Sequence, residues 1–229
     1  MNQQPEPTRA GDIIEQALTK LTKTIETITP EERERRRQRD EMLADQQHEY
    51  KVKDLIAKSR APRRQLEAIA IDRSGEWGKT ERALLAQIGS GFTIALVGVR
   101  GSGKTQLGVE LIRHRSSEYG TSRYCTAMEF FIDVKAGYKE DGEAEKVILA
   151  EFGRPSLLVM DELGRRSEND WENRLLYELL NRRYNEMRDT LLISNQDVSQ
   201  LEGALGPSLV SRMRETGGVI ECNWESYRK

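Results

Sequence analysis

The sequence predicts an α/β fold, a parallel sheet covered on both faces by helices and preceded by a small helical segment. Three observations carry that prediction. From about residue 79, helix-patterned stretches alternate with short runs rich in leucine or β-branched residues, as in a parallel sheet buried on both faces. One such run, Phe92–Val97, passes through a glycine-rich loop into a stretch with helical apolar spacing at Leu107, Leu111 and Ile112. Before about residue 65 the chain is dense in charge and lacks strand-like runs.

Taken in order, Asp12 can cap a first helix in which Ile14, Leu18, Leu21, Ile25 and Ile28 form a short heptad-like seam. Thr29-Pro30-Glu31-Glu32 reads as a capping box with proline at the first helical position, opening a second helix to about Ala57. Its run Glu31–Glu41 carries five arginines among six acidic or amide residues, a sign-balanced pattern typical of a solvated helical face. Pro62 ends this helix. Two short helices bury little alone, so their seam packs as a hairpin lid or grips another protein, and the spacing leaves both readings open.

Further on, a helix around Thr80–Ile88 precedes strand Phe92–Val97, and a helix follows to about Ser116. Then come strand Arg123–Ala127, helix Met128–Tyr138, a polar turn and helix Ala144–Glu151. Strand Ser156–Met160, a long helix over Asn169–Glu186, strand Thr190–Ser194, a helix near Pro207–Glu215 and strand Gly218–Cys222 complete the chain. At 229 residues this suits one full α/β domain, residues 61–229, plus the helical segment 1–60.

Composition excludes several classes. A net charge of −2 offers no global basic field, so any nucleic-acid contact is a local patch. Cys125 and Cys222 lie in apolar runs and read as buried thiols; with His48 and His114 far apart they make no zinc site. There is no signal peptide and no apolar run near 18 residues, so the expectation is a soluble, cytoplasmic protein without a membrane partner.

The loop itself is Gly98, Val99, Arg100, Gly101, Ser102, Gly103, Lys104 and Thr105, a complete Walker A pattern in the strand–loop–helix context it needs. Its glycines let backbone N–H groups close on phosphate oxygens, and the helix N-terminus beginning near Gln106 adds a favourable dipole. Lys104 is expected to reach the β/γ-phosphates and Thr105 to give its hydroxyl to Mg²⁺, so the pattern implies ATP with Mg²⁺ as cofactors. Ser156–Met160 followed by Asp161-Glu162 fits a Walker B strand: Asp161 holds Mg²⁺, and Glu162 orients or deprotonates the attacking water. Strand Thr190–Ser194 brings Asn195 to the same sheet edge, within reach of the γ-phosphate or the water, although asparagine also commonly ends strands. Arg212 and Arg214, two apart on a helix, point in different directions; spacing alone favours a salt bridge or solvated charge over a role at a neighbour's phosphate.

Together the segments GVRGSGKT, LLVMDELG, LLISNQ, LVSRMRETGG and NWESYR resemble bacterial replicative helicase loaders of the DnaC type, over roughly residues 60–229. The resemblance implies an AAA+ P-loop ATPase domain lacking the usual C-terminal helical lid, which the end of the sequence at Lys229 matches. It makes Asn195 the sensor residue and Arg212 an arginine finger acting on a neighbouring subunit of an ATP-bridged oligomer. Single-stranded DNA contacts would fall in Phe130–Lys139, on Lys135, Tyr138 and Lys139, an aromatic among lysines suited to stacking and phosphate contact. The partner implied is a hexameric replicative helicase, held by residues 1–60. In that segment the chain departs from relatives that fold theirs around zinc, since it has no such ligands. The transposition helper ATPases share DELG, the strand-end pattern and a similar tail, and would act on duplex DNA and a transposase. A monomeric metabolic kinase has little use for Asn195 or a finger arginine, and intact Lys104, Asp161 and Glu162 argue against a scaffold that barely hydrolyses ATP.

Overall fold

The computed structural model describes residues 14, 15, 19, 29–67, 72–137, 143–167 and 169–227. Contacts divide the chain into two units, Met1–Glu49 and Tyr50–Lys229. Of the N-terminal seam, Ile14 is described and exposed, whereas Leu18, Leu21, Ile25 and Ile28 lie outside the described residues. Helix α1 (Pro30–Lys58) opens on the expected capping box: Thr29 N donates to Glu32 Oε2 at 3.1 Å and Glu32 N to Thr29 Oγ1 at 3.2 Å. None of its residues is buried, and pairs such as Arg37–Glu41 (3.2 Å) run along its surface.

In the larger unit, α2 (Arg63–Leu66) and α3 (Glu76–Leu85) lead to β1 (Thr93–Val97) and α4 (Lys104–Ser117). There follow β2 (Ser122–Thr126), α5 (Ala127–Gly137), α6 (Glu143–Gly153), β3 (Leu157–Asp161) and a 3₁₀ turn at Leu163–Arg165. The chain continues through α7 (Asp170–Asn185), β4 (Asp189–Ile193), α8 (Val198–Leu205), α9 (Pro207–Thr216) and β5 (Gly218–Glu221). Among the described residues the strands form one parallel sheet in the order β2-β3-β4-β1-β5. Successive strand residues go to opposite faces. Ile94, Leu96, Val159 and Leu191 pack under α3 and α4 with Trp77, Leu84, Leu107 and Leu111. Ala95, Leu158, Met160 and Leu192 pack under α5–α9 with Phe130, Phe152, Leu175 and Met213. The sheet edge at β2 is covered, because Tyr124 N donates to Ser59 O at 2.7 Å.

Several elements differ from expectation, the short α2 and the 3₁₀ turn at Leu163–Arg165 among them. Helix α3 starts at Glu76 rather than Thr80, because Trp77 in its first turn is buried against the sheet and anchors the earlier start. Helix α8 was not anticipated; Asp197 and Gln200 close a capping box at its N-terminus.

The two ends of the sheet are built differently. At the end where β4 begins, Arg183 is fully buried and donates through Nε to Thr190 Oγ1, through Nη1 to the carbonyls of Phe152, Gly153 and Pro155, and through Nη2 to Asp189 O. Burial pushes its guanidinium down to about 9. Asp189 in turn accepts from Gly89 N (2.7 Å) and Gly91 N (2.9 Å). That end is a structural clamp. The other end, where the strands terminate, carries the loops that follow.

Candidate nucleotide site

The loop Gly98–Gly103 leaves β1 and turns straight into α4, so the free N–H groups of that helix face the space the loop encloses. Gly98 has φ 118°, and a Cβ there would meet Cys222 O at 2.9 Å, so glycine is required on both counts. Ser102 and Lys104 are buried, while Val99 and Arg100 form the exposed crest. Lys104 Nζ spans the loop and donates to Gly98 O (2.8 Å) and Val99 O (2.7 Å). The Gln106 side chain is turned away, held by Gln65 O and Glu110 Oε1, so only its backbone faces the loop's side.

Opposite the loop, Asp161 at the end of β3 is buried and collects three donors. Thr105 Oγ1 donates to its Oδ2 at 2.7 Å, Tyr124 OH to the same oxygen at 2.9 Å, and Glu162 N to its Oδ1 at 2.6 Å. Burial and the neighbouring Asp161 carboxylate push the Tyr124 phenol far up, so it stays a neutral donor. A hydroxyl and a carboxylate meeting beside a phosphate loop are the all-oxygen, hard donor set that suits Mg²⁺. Among the described residues no group of three His, Cys, Asp or Glu side chains gathers that could hold a metal. An ion held by Thr105 and Asp161 would need further ligands from outside the described side chains. Glu162 adopts the left-handed region (φ 55°, ψ 36°), and its carboxylate lies 3.3 Å from Arg165 Nη1.

Strand β4 lies between β1 and β3, so its exit at Ser194-Asn195 falls between the loop and Asp161, with Asn195 exposed. Arg212 is not brought to this site. It sits on α9 with its guanidinium over the rings of Tyr177 (5.6 Å) and Tyr184 (5.4 Å), both on α7. Arg214 instead pairs with Glu202 at 2.7 Å. Lys135 is exposed on α5, whereas Tyr138 and Lys139 lie outside the described residues. Phe130 and Phe131 are core. A cleft of about 690 Å³ opens beside α5, lined by Met128, Ile132, Lys135, Arg165 and Trp171.

Sequence reasoning missed Tyr124, Trp77 and Trp224. Trp77 Nε1 donates to Gly103 O at 3.2 Å and Trp224 Nε1 to Ser102 O at 2.7 Å. These contacts span 26 and 122 residues, and no local pattern announces them.

No helix among the described residues is long and apolar enough to cross a membrane. The model of the IstB-like ATP binding protein family matches residues 21–229. Among curated proteins, the replicative helicase loader DnaC of Escherichia coli K12 is 25% identical over 132 residues, 57% of this chain and 54% of the relative. The uncharacterized protein YdaV of the same strain is 29% identical over 135 residues, 58% of this chain and 54% of that one. The chain thus spans about half the length of the curated relatives it matches. Among solved structures, the DnaC helicase loader aligns with a TM-score of 0.57 at 19% identity, covering 68% of this chain and 93% of that one. A putative primosome component from Streptococcus pyogenes serotype M3 gives 0.59 at 17%, covering 76% and 98%. The replication initiator DnaA bound to AMPPCP and single-stranded DNA gives 0.58 at 20%, covering 70% and 50%. These likenesses show that the larger unit shares its α/β fold with the helicase loader and replication initiator structures, and the family match over residues 21–229 makes this chain a member of the IstB-like ATP binding protein family.

Proposed function

We propose that the chain is an ATP-dependent loader that binds a hexameric replicative helicase and delivers it onto single-stranded DNA. The observation that carries this reading is the 25% identity to a replicative helicase loader over 57% of the chain, together with a family match whose range includes the phosphate loop and Asp161. The loop N–H groups and Lys104 hold the triphosphate, and Thr105 and Asp161 hold Mg²⁺, which supplies charge neutralisation at the phosphates when bound. Glu162 takes the proton of the attacking water, and Asn195 orients that water or the γ-phosphate. Arg212, directed at α7 rather than at its own loop, serves a neighbouring subunit, so that ATP bridges an oligomer. Hydrolysis is slow and regulatory: ATP favours assembly and DNA grip, hydrolysis favours release. Lys135 contacts the DNA backbone together with Tyr138 and Lys139, and the helical segment 1–60 grips the helicase.

A second reading is favoured by the family model itself, whose description is IstB-like. It makes the chain a transposition helper acting on duplex DNA and a transposase. Size-exclusion chromatography with light scattering, run on the chain mixed with a host hexameric helicase with and without ATP, separates the two. A complex that is lost on deleting residues 1–49 supports the loader. No complex, alongside ATP-dependent assembly on duplex DNA, supports the helper. The deletion stops at 49 because Ser59 and Ala61 are buried within the larger unit.

A further inference from the structure

The motif Asn223-Trp224-Glu225-Ser226-Tyr227 has no role in the chemistry described so far, yet it tracks the phosphate loop from end to end. Cys222 N extends the β5–β1 pairing by donating to Val97 O at 2.8 Å. The Cys222 carbonyl and Asn223 Oδ1 then press on Gly98, where an added Cβ would meet them at 2.9 and 3.1 Å. Trp224 Nε1 donates to Ser102 O, and Tyr227 N donates to Gly101 O at 3.0 Å. From the opposite side of the sequence, the buried Trp77 donates to Gly103 O. Three consecutive loop carbonyls, Gly101, Ser102 and Gly103, are therefore each held by a donor outside the loop.

That arrangement has a direct consequence for anion binding. In a peptide unit the C=O and the following N–H point in opposite directions, so tying these three carbonyls outward turns the N–H groups of Ser102, Gly103 and Lys104 inward. The loop also has an inner brace, Lys104 Nζ on Gly98 O, Val99 O and Ser102 Oγ. An ammonium that moves to a phosphate gives up that brace, and the loop's shape then rests on the outer donors together with Ser102 Oγ on Val99 O (3.0 Å) and Leu107 N on Gly103 O (3.0 Å).

We propose that Trp224 and Trp77 are positioning residues that hold the phosphate loop in its binding shape and thereby set nucleotide affinity. The assignment rests on the reading that this loop takes a nucleotide. Substituting phenylalanine keeps an aromatic ring in place and deletes the indole donor. For Trp224→Phe and Trp77→Phe in the full chain, calorimetric titration with Mg-ADP should show affinity about three- to tenfold weaker, the size of one lost hydrogen bond. The melting temperature without nucleotide should move by less than about 3 °C for Trp224→Phe. In wild-type protein carrying 5-fluorotryptophan, the ¹⁹F resonances of Trp77 and Trp224 should shift on Mg-ADP addition with the half-saturation seen by calorimetry. A wild-type chain that binds Mg-ADP while both variants bind it equally well overturns the assignment alone. A wild-type chain that does not bind Mg-ADP overturns the nucleotide reading and the assignment with it.

Discussion

Replacing Glu162 by glutamine isolates its proposed role, because the structure predicts almost no other effect. Its carboxylate pairs with Arg165 at 3.3 Å, with side-chain exposures of 38% and 58%. An ion pair so open to water contributes at most about 1 kcal/mol, so the melting temperature should stay within about 3 °C of wild type. Loss of a general base should instead slow hydrolysis by about 10²–10⁴-fold. Steady-state phosphate release should therefore collapse, while labelled ATP and the DNA complex stay bound through gel filtration. Glu162→Gly supplies an internal contrast. The left-handed backbone (φ 55°, ψ 36°) costs a non-glycine residue about 1 kcal/mol, so glycine should raise the melting temperature by roughly 2–4 °C while abolishing hydrolysis equally. Hydrolysis within about threefold of wild type in both variants would refute the assignment of Glu162 as the base.

Mixing Lys104→Ala with Arg212→Ala, each inactive alone, should restore part of the ATPase rate, since a site shared between subunits needs one intact loop and one intact finger. Tyr124→Phe removes a buried donor to the Asp161 carboxylate at 2.9 Å, a charge-assisted bond worth about 1.5–3 kcal/mol; differential scanning fluorimetry should show the melting temperature lower by roughly 3–12 °C. Arg183→Met strips the buried clamp from five backbone and hydroxyl partners and should cost about 3–5 kcal/mol, read in urea unfolding as a lower midpoint with unchanged slope.

Strands β1, β3 and β4 were legible because their cores are short apolar runs bounded by polar residues, and Leu157–Asp161 and Asp189–Ile193 lie within one residue of expectation. The phosphate loop was legible for a stronger reason: its chemistry needs glycines and a lysine at fixed offsets. Strand order was not legible. That β4 separates β1 from β3, and so brings Asn195 between loop and Asp161, is decided by packing across the whole sheet. Helix α8 escaped although Asp197 and Gln200 spell a capping box, because it is only eight residues long and has α9 directly behind it. Tyr124, Trp77 and Trp224 escaped because their mostly polar sequence neighbours form no local pattern, and their polar atoms act across long sequence separations. Spacing alone read Arg212 as a salt bridge or solvated charge, and its place over Tyr177 and Tyr184 comes from α7, a separate element.

The measurement that tests the loader reading most directly is helicase retention on closed circular single-stranded DNA, where a ring cannot thread onto an end. With this chain and ATP, the helicase should become bound and survive a high-salt wash, and Lys104→Ala should abolish the gain. Retention that is the same with and without the chain, at concentrations where the two proteins are present in excess over DNA, would contradict it.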